Sequence, residues 1–149
     1  ASFATLPFSS APNDGVYIDP STVPGVNQDP AFLFGQGKTL VKATGYWFGL
    51  LDTYRGNSCD ASNKNDFIED TPQQARGTDG TCPSSADTCP GLSGNDPVNN
   101  FMDNSTDVCR TNFTQDQIDR MYYVYQIYRN PGGETCTTGY QLFSIFYVA

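Results

Sequence analysis

One stretch of the chain places three polar side chains at the spacing of a helix and the turn after it. Lys42 and Tyr46 are four residues apart, and Asp52 follows beyond Gly49. Residues four apart share one face of an α-helix, so we expect the ammonium and the phenol to point the same way. Ala43, beside Lys42, carries no group that can accept a proton. The stretch thus has the spacing of a shared site, but it supplies neither an imidazole ligand nor a general base beside Lys42.

The rest of the chain supplies no substitute for those groups. It contains no histidine, so neither an imidazole metal site nor a Ser or Cys triad can be built. Tyr46 is a poor metal ligand at neutral pH because a phenol keeps its proton up to about pH 10. Asp52 is a single carboxylate, which does not make a metal site by itself. No phosphate-binding loop and no CxxC pair is present. We therefore expect no zinc and no catalytic residue.

The spacing of this stretch matches the zinc-protease signature HExxHxxGxxH. The three histidine positions hold Lys42, Tyr46 and Asp52. The glutamate position holds Ala43, and the glycine position is still a glycine, Gly49. In a working site the first two histidines lie one helical turn apart and hold zinc, and the glutamate activates the zinc-bound water. Every group that performs that chemistry is replaced here.

Further motifs follow in a fixed order. They are Gly56-Asn57-Ser58-Cys59, Asn65-Asp66-Phe67-Ile68-Glu69-Asp70-Thr71-Pro72, Cys82-Pro83, Asp87-Thr88-Cys89-Pro90, Asn100-Phe101-Met102-Asp103, Cys109 and Asn112-Phe113-Thr114-Gln115-Asp116-Gln117. In this order and spacing the chain resembles the secreted fungal branch of the pappalysin family, a group of metzincin metalloproteases. The resemblance covers residues 1–130 and implies a truncated, catalytically dead member.

The length of 149 residues fits a single domain over residues 1–149, and the resemblance implies the α+β class. We expect a truncated metzincin-like domain over residues 1–130, with a small mixed sheet, an active-site-type helix, an irregular region stapled by disulfides and a C-terminal helix. Residues 131–149 form an unmatched tail. The relatives carry further strands and a helix before the part that matches Phe3. We expect an extra C-terminal strand to fill that sheet space or to pair with a second copy.

Local patterns place the elements. Alternation and turn residues predict strands over residues 3–8 and 16–18. An apolar stripe through Leu40, Trp47 and Leu51 predicts a helix over residues 38–50, with Gly49 at its C-terminal turn. Thr114 and Gln117 match a capping box that starts a helix ending near residue 129. Its inner face is predicted to be Ile118, Met121, Tyr122 and Tyr125. Residues 139–149 read as an apolar terminal strand.

The resemblance assigns roles to residues outside the helix. Met102 lies in the turn that runs beneath the metal in metzincins, and here it is expected to pack in the core. Asp66, Asp70 and Thr71 match a calcium-binding stretch of the relatives. Oxygen ligands in an irregular loop suit calcium. The alternative is that these three are solvated turn residues. The relatives usually have a tyrosine where this chain has Asn104.

Lys42 and Asp52 leave two arrangements open. The two side chains could pair across the old zinc position and fill it, or both could point to solvent. Buried ion pairs often add little net stability, so the pairing concerns occupancy more than strength.

Five cysteines are typical of a stapled, secreted chain. The resemblance implies that Cys59 pairs with Cys89 and Cys82 with Cys109, although spacing alone allows other pairings. Cys136 is left over and is expected to be unpaired or to join two chains. A homodimer through Cys136 or the C-terminal strand is therefore one partner hypothesis.

Composition narrows the functional class. The net charge of −8 argues against nucleic acid, which needs a basic patch, and no apolar run is long enough for membrane insertion. No leader peptide is evident, so we expect a mature or trimmed chain. Sequons at Asn104 and Asn112 predict a secreted, extracellular glycoprotein. Our leading hypothesis is a non-catalytic pseudo-metalloprotease that binds a protein partner, as a fungal effector or elicitor of plant responses. The alternatives are a residual metal-dependent peptidase and a self-associating structural protein.

Overall fold

The computed structural model describes residues 2–7, 12–29, 31–60 and 66–130. Its elements are β1 (Phe3–Ala4), β2 (Val16–Tyr17), a 3-10 turn (Pro20–Thr22), α1 (Lys38–Trp47), α2 (Gln115–Val124) and a π-helical turn (Tyr125–Arg129). Short strands, two helices and long connections between them confirm the predicted α+β class. No helix in this described part is long and apolar enough to cross a membrane.

The sheet is smaller than the sequence pattern predicts. β1 and β2 pair antiparallel, with Phe3 opposite Tyr17, and their rings stack with centroids 4.7 Å apart. A separate parallel bridge joins Asn100 to Asn112. The described pairings are therefore of both kinds, but the two strands are two residues each. Phe8, at the end of the first predicted strand, lies outside the described residues.

Helix α1 starts and stops at glycines with positive φ. Gly37 at the N-cap has φ +82°, and Gly49, two residues past the helix end, has φ +83°. The prediction that Gly49 turns the chain is confirmed, but the helix ends at Trp47 and not at Leu50. Of the predicted apolar stripe, Trp47 packs half-buried against the core and Leu51 is half-buried, but Leu40 is exposed.

Helix α2 begins with the predicted capping box. The Thr114 hydroxyl accepts from the Gln117 backbone, and the Gln117 side chain accepts from the Thr114 backbone. This arrangement satisfies two of the donors that a helix start leaves free. Of the predicted inner face, Met121 is buried in the core, while Ile118 and Tyr125 pack against it half-buried. Tyr122 is also half-buried.

A compact core joins the two helices to the connection between them. Its buried members are Phe48, Leu50, Ile68, Met102 and Met121. Met102 and Leu50 have no exposed surface, in agreement with the expected packing role of Met102.

Two disulfides hold the irregular connection. Cys59 is bonded to Cys89 and Cys82 to Cys109, which are the two pairs that the resemblance implies. Cys136 and the predicted strand over residues 139–149 lie outside the described residues.

Candidate functional site

The Lys42 ammonium is largely buried between α1 and the turn at residues 100–103. Its Nζ lies 2.7 Å from the Asp52 Oδ1 and donates to the backbone oxygens of Met102 at 3.0 Å and Asp103 at 2.9 Å. Only 12% of the Lys42 side chain is exposed. An ammonium has three protons to donate, and these three oxygens can take all of them. Of the two arrangements that the sequence leaves open, the structure has the ion pair.

Two tyrosines complete the surroundings of Asp52. The Tyr46 hydroxyl donates to the Asp52 Oδ1, and Tyr54 also hydrogen-bonds to the Asp52 side chain. The Lys42 Nζ lies 5.7 Å from the centre of the Tyr46 ring and 5.4 Å from that of Tyr54. These distances are within the range of cation–π attraction. Asp52 is thus the hub of a cluster of one cation and two phenols.

The cluster changes how its members titrate. Burial lowers the pKa of Lys42, and the Asp52 carboxylate opposes that shift. Burial and the Asp52 charge raise the pKa of both Tyr46 and Tyr54 above the ordinary value of 10.0. Both phenols therefore stay protonated and act as donors to Asp52 at neutral pH.

These residues do not fit a zinc ion. Zinc takes a lone pair from each ligand, but the Lys42 nitrogen is a donor in all three of its contacts. The Tyr46 oxygen keeps its proton, so only Asp52 offers a ligand of the right kind. Ala43 is buried and carries no group that could take a proton from water.

The turn beneath this cluster is held by close packing and by a buried carboxylate. A Cβ atom at Gly45 would stand 2.6 Å from the Met102 sulfur, so only glycine lets α1 approach the turn this closely. The Asp103 carboxylate, with no exposed surface, accepts from the Gln74 amide at 2.9 Å and the Ser105 backbone at 3.0 Å. It also accepts from the Thr78 hydroxyl. The Asp103 carboxylate thus has a structural role, because its oxygens are occupied by these hydrogen bonds.

A second buried ion pair supports the start of α1. The Asp107 Oδ2 accepts from the backbone nitrogens of Gln36 at 2.8 Å and Lys38 at 3.3 Å. Its Oδ1 pairs with Arg110, which is also buried. Because Gly37 has no side chain to cap the helix, Asp107 supplies negative charge at that end from a distant part of the chain.

The structure separates the three predicted calcium ligands. Asp66 and Thr71 are buried and bonded to each other, with the Thr71 hydroxyl donating to Asp66 at 2.6 Å. Asp70 is exposed, and its carboxylate accepts from the Asp116 backbone at the start of α2. Over residues 2–7, 12–29, 31–60 and 66–130, no group of three or more Asp, Glu, Cys or His side chains is placed to hold a metal.

Several residues of the site carry no sequence signal strong enough to be found beforehand. Tyr54 lies two residues after Asp52 and could have been considered with it. Gln74 and Thr78 reach Asp103 across more than twenty residues of irregular chain. The pair of Asp107 and Arg110 has a three-residue spacing, which gave a weak local signal.

The chain is similar to proteins of one known family. Residues 8–126 match the family Peptidase_M43, described as pregnancy-associated plasma protein-A. The chain belongs to this family. The family is that of the pappalysins, as the motif order predicts.

Individual Peptidase_M43 relatives come from fungi. An extracellular metalloprotease of Aspergillus oryzae is 43% identical over 118 residues, which are 79% of this chain and 36% of the relative. One from Aspergillus fumigatus is 44% identical over the same length, 79% of this chain and 35% of the relative. The chain thus spans about a third of the length of these two curated relatives. Their names agree with an extracellular location.

Solved structures of mirolysin share the fold. Mature mirolysin of Tannerella forsythia, in complex with a cleaved peptide, superposes with a TM-score of 0.66 at 28% identity, covering 84% of this chain and 47% of that one. A mirolysin complex with a small compound gives a TM-score of 0.70 at 29% identity, covering 89% and 49%. The metzincin-like fold is therefore confirmed for this chain.

Proposed function

We propose that this chain is a secreted, non-catalytic member of Peptidase_M43 that acts by binding another protein. Its relatives are named extracellular metalloproteases. The observation that carries the proposal is the Lys42 ammonium, which fills the position of the first zinc-binding histidine.

The substitutions are mutually consistent, which supports a settled arrangement rather than a partly damaged site. The positive charge of Lys42 meets one carboxylate and two carbonyl oxygens. Tyr46, at the second histidine position, donates to the residue at the third, Asp52. Each replacement thus satisfies another. These contacts hold α1 and the turn together without a bound metal ion.

A peptide segment is the proposed bound group. One mirolysin structure was solved with a cleaved peptide, and we infer that the corresponding surface here contacts an extended segment of a partner protein. Without a proton acceptor at Ala43, a bound segment stays uncut.

Metal analysis combined with digestion tests the loss of catalysis. The purified chain is incubated with equimolar zinc, desalted and measured for metal by mass spectrometry, and then assayed on casein. We expect far less than one zinc per chain and no hydrolysis. The Aspergillus oryzae relative, treated identically, is the positive control. One zinc per chain together with casein cleavage contradicts the proposal and favours the residual peptidase.

We further infer an effector or elicitor role in plant tissue. Support comes from the fungal, extracellular metalloproteases that this chain resembles and from the Lys42 ion pair at the histidine positions. Purified protein is infiltrated into leaves, with reduced and alkylated protein as the matched control. A local response to the native form alone is expected. The absence of any response across several plant hosts counts against this role and leaves the binding proposal standing.

Calcium remains a proposal that rests on the resemblance. The buried Asp66 and its partner Thr71 are the candidate ligands that fit best, because Asp70 is engaged at the start of α2. Melting is compared in calcium and in excess chelator, with Asp66→Asn as the variant. We expect the chelator to lower the Tm of the wild type alone. Equal melting in both buffers rejects the site.

A further inference from the structure

A polar cavity lies among residues 84–85, residues 95–100 and the start of α2. Its volume is about 350 Å³, near the lower limit of pockets that hold small molecules. A water molecule takes about 30 Å³ in the liquid, so the cavity accommodates roughly a dozen groups of that size. This matches one sugar ring with its substituents.

The lining is almost entirely uncharged. The exposed members carry hydroxyls and amides: Ser84, Ser85, Asn95, Asn99 and Asn112. Pro97 and Val98 add an apolar surface. The single carboxylate in the lining, Asp96, is buried, and both of its oxygens accept from Thr88. A lining of neutral hydrogen-bonding groups beside a small apolar face suits a neutral, hydroxyl-rich ligand.

The rim of this cavity contains the acceptor residue of a glycosylation sequon. Asn112 is exposed, and within the described part of the chain its Nδ2 donates no hydrogen bond. The other sequon differs. The Asn104 Nδ2 donates to Asp79 at 3.3 Å, and its Cβ lies 2.9 Å from where a Cβ at Gly77 would stand. Geometry therefore distinguishes two sequons that are alike in sequence.

We propose that the cavity is a saccharide subsite and that its occupant is the N-acetylglucosamine that begins a glycan on Asn112. The sugar is attached during secretion, before folding, from a lipid-linked oligosaccharide pyrophosphate. The Asn112 Nδ2 forms a bond to the anomeric carbon and gives up one proton to the transferase. The bond from that carbon to the pyrophosphate oxygen breaks, and the lipid pyrophosphate leaves.

The docked sugar connects separate parts of the irregular chain. Asn112 is bridged to Asn100, while Ser84 and Asn95 come from earlier turns that also line the cavity. Hydroxyl and acetamide groups of the sugar can bond to their side chains, and the ring can cover Val98. Because the sugar is tethered at the rim, its effective concentration in the cavity is high.

Enzymatic release of the glycan tests the docking. The chain is secreted from a yeast host, and peptide mapping gives the occupancy of each sequon. Peptide N-glycosidase is then applied to native and to denatured protein. Since the enzyme needs access to the first sugar, we expect release from native protein to be slower by about tenfold or more. We also expect Asn112 to be occupied and Asn104 to be largely free.

Two matched variants localise the effect. Ser84→Phe fills the cavity, and Ser93→Phe places the same ring on an exposed serine outside it. Native release should become fast in Ser84→Phe and stay slow in Ser93→Phe. Equal rates for native and denatured wild-type protein overturn the proposal, and so does an unmodified Asn112 in secreted protein.

A free sugar is the other source of the same chemistry. Asn112→Gln removes the sequon and leaves the Thr114 cap of α2 in place. Binding of free di-N-acetylchitobiose to this variant, abolished by adding Ser84→Phe, places a soluble saccharide in the cavity and overturns the attached glycan as its occupant. No binding of the free sugar, together with slow native release, supports the proposal.

Discussion

The Lys42 ammonium connects three parts of the molecule through single hydrogen bonds. It reaches Asp52 after the helix and the oxygens of Met102 and Asp103 in the turn. Burial of a charge is costly unless it is paired and hydrogen-bonded, and this one is both. Removing either the ammonium or the carboxylate leaves a buried group without its partner and therefore destabilises the folded state.

Lys42→Met tests this connection. The substitution keeps most of the side-chain length but leaves Asp52 without its cation and two carbonyl oxygens without a donor. Removing one partner of a buried pair costs about 3–5 kcal/mol. Because Asp52 is 25% exposed, we expect a smaller loss, about 2–3 kcal/mol. Urea denaturation measures it.

Lys38→Met is the matched control. The Lys38 Nζ lies 5.6 Å from the Phe101 ring centre and the residue is half-exposed. Its loss should cost no more than about 1 kcal/mol. If both lysine variants unfold at the same urea concentration as the wild type, the Lys42 cluster does not stabilise the fold.

Because of Tyr46 and Tyr54, we expect the folded state to lose stability at alkaline pH. Their pKa values are raised in the folded state, so unfolded tyrosines lose protons above pH 10 while the folded ones keep them. The folded state then binds more protons, and stability falls as pH rises. The lowered pKa of Lys42 acts in the opposite direction below pH 10.5, so the fall in stability caused by the phenols is expected above about pH 10.

Unfolding between pH 8 and 11 measures this slope. Tyr46→Phe should flatten the alkaline fall, and Tyr17→Phe, at an exposed tyrosine, should leave it unchanged. A slope that is the same in all three proteins rejects the role of the cluster.

At the scale of elements, α1 packs closely on the turn at Gly45. Gly45→Ala removes the flexibility of glycine, which by itself stabilises a helix by about 1 kcal/mol. Here the added Cβ meets the Met102 sulfur at 2.6 Å, and overpacking costs about 1–3 kcal/mol. We expect net destabilisation. Thermal melting of Gly45→Ala and of Gly45→Ala with Met102→Ala checks whether room for the methyl group removes the clash contribution.

The C-terminal end of α1 depends on an arginine from the π-helical turn. Arg129 donates to the Trp47 carbonyl at 2.9 Å, stacks 4.0 Å from the Trp47 ring centre and pairs with Asp14. Carbonyls at a helix end favour a cation. Arg129→Ala should cost about 2–3 kcal/mol, the range of hydrogen bonds to charged groups. Arg55→Ala, at an exposed arginine, should cost under about 0.5 kcal/mol, and equal losses contradict the assignment.

The elements show how far the sequence could lead. Thr114 and Gln117 give α2 a start signal that depends on four consecutive residues, so the prediction succeeded. Leu40 fits an apolar stripe and yet is exposed, whereas the close contact of α1 with the turn is made at Gly45. A small residue carries no hydrophobic signal, and only the position of Met102 shows why it is needed.

The candidate site, like the helices, could be predicted only in part from the sequence. Spacing placed Lys42 and Asp52 near each other, but it could not choose between pairing and exposure. Tyr54, Gln74 and Thr78 join through the irregular region, where no periodicity constrains the chain. These contacts form only because the disulfides and the buried carboxylates bring turns that are distant in sequence close together in space.

At the scale of the whole molecule, the chain between the two helices has little regular structure to hold it. It is organised instead by buried polar groups such as Asp96 and Asp103 and by two disulfides with overlapping loops. Fixing the backbone of each residue costs about 1–2 kcal/mol of conformational entropy on folding. The cross-links lower that cost by restricting the unfolded chain.

Removing one disulfide at a time measures this contribution. The pairs join residues 30 and 27 positions apart, and closing loops of that length restricts the unfolded chain by about 3–4 kcal/mol each. In a Cys136→Ser background, which prevents thiol exchange, Cys59→Ser with Cys89→Ser and Cys82→Ser with Cys109→Ser should each lose about that amount in urea denaturation. Because the loops overlap, the second removal acts on a chain that is already less restricted. The quadruple variant should therefore be unfolded or nearly so, and a folded quadruple variant would mean that the buried polar network alone holds the irregular region.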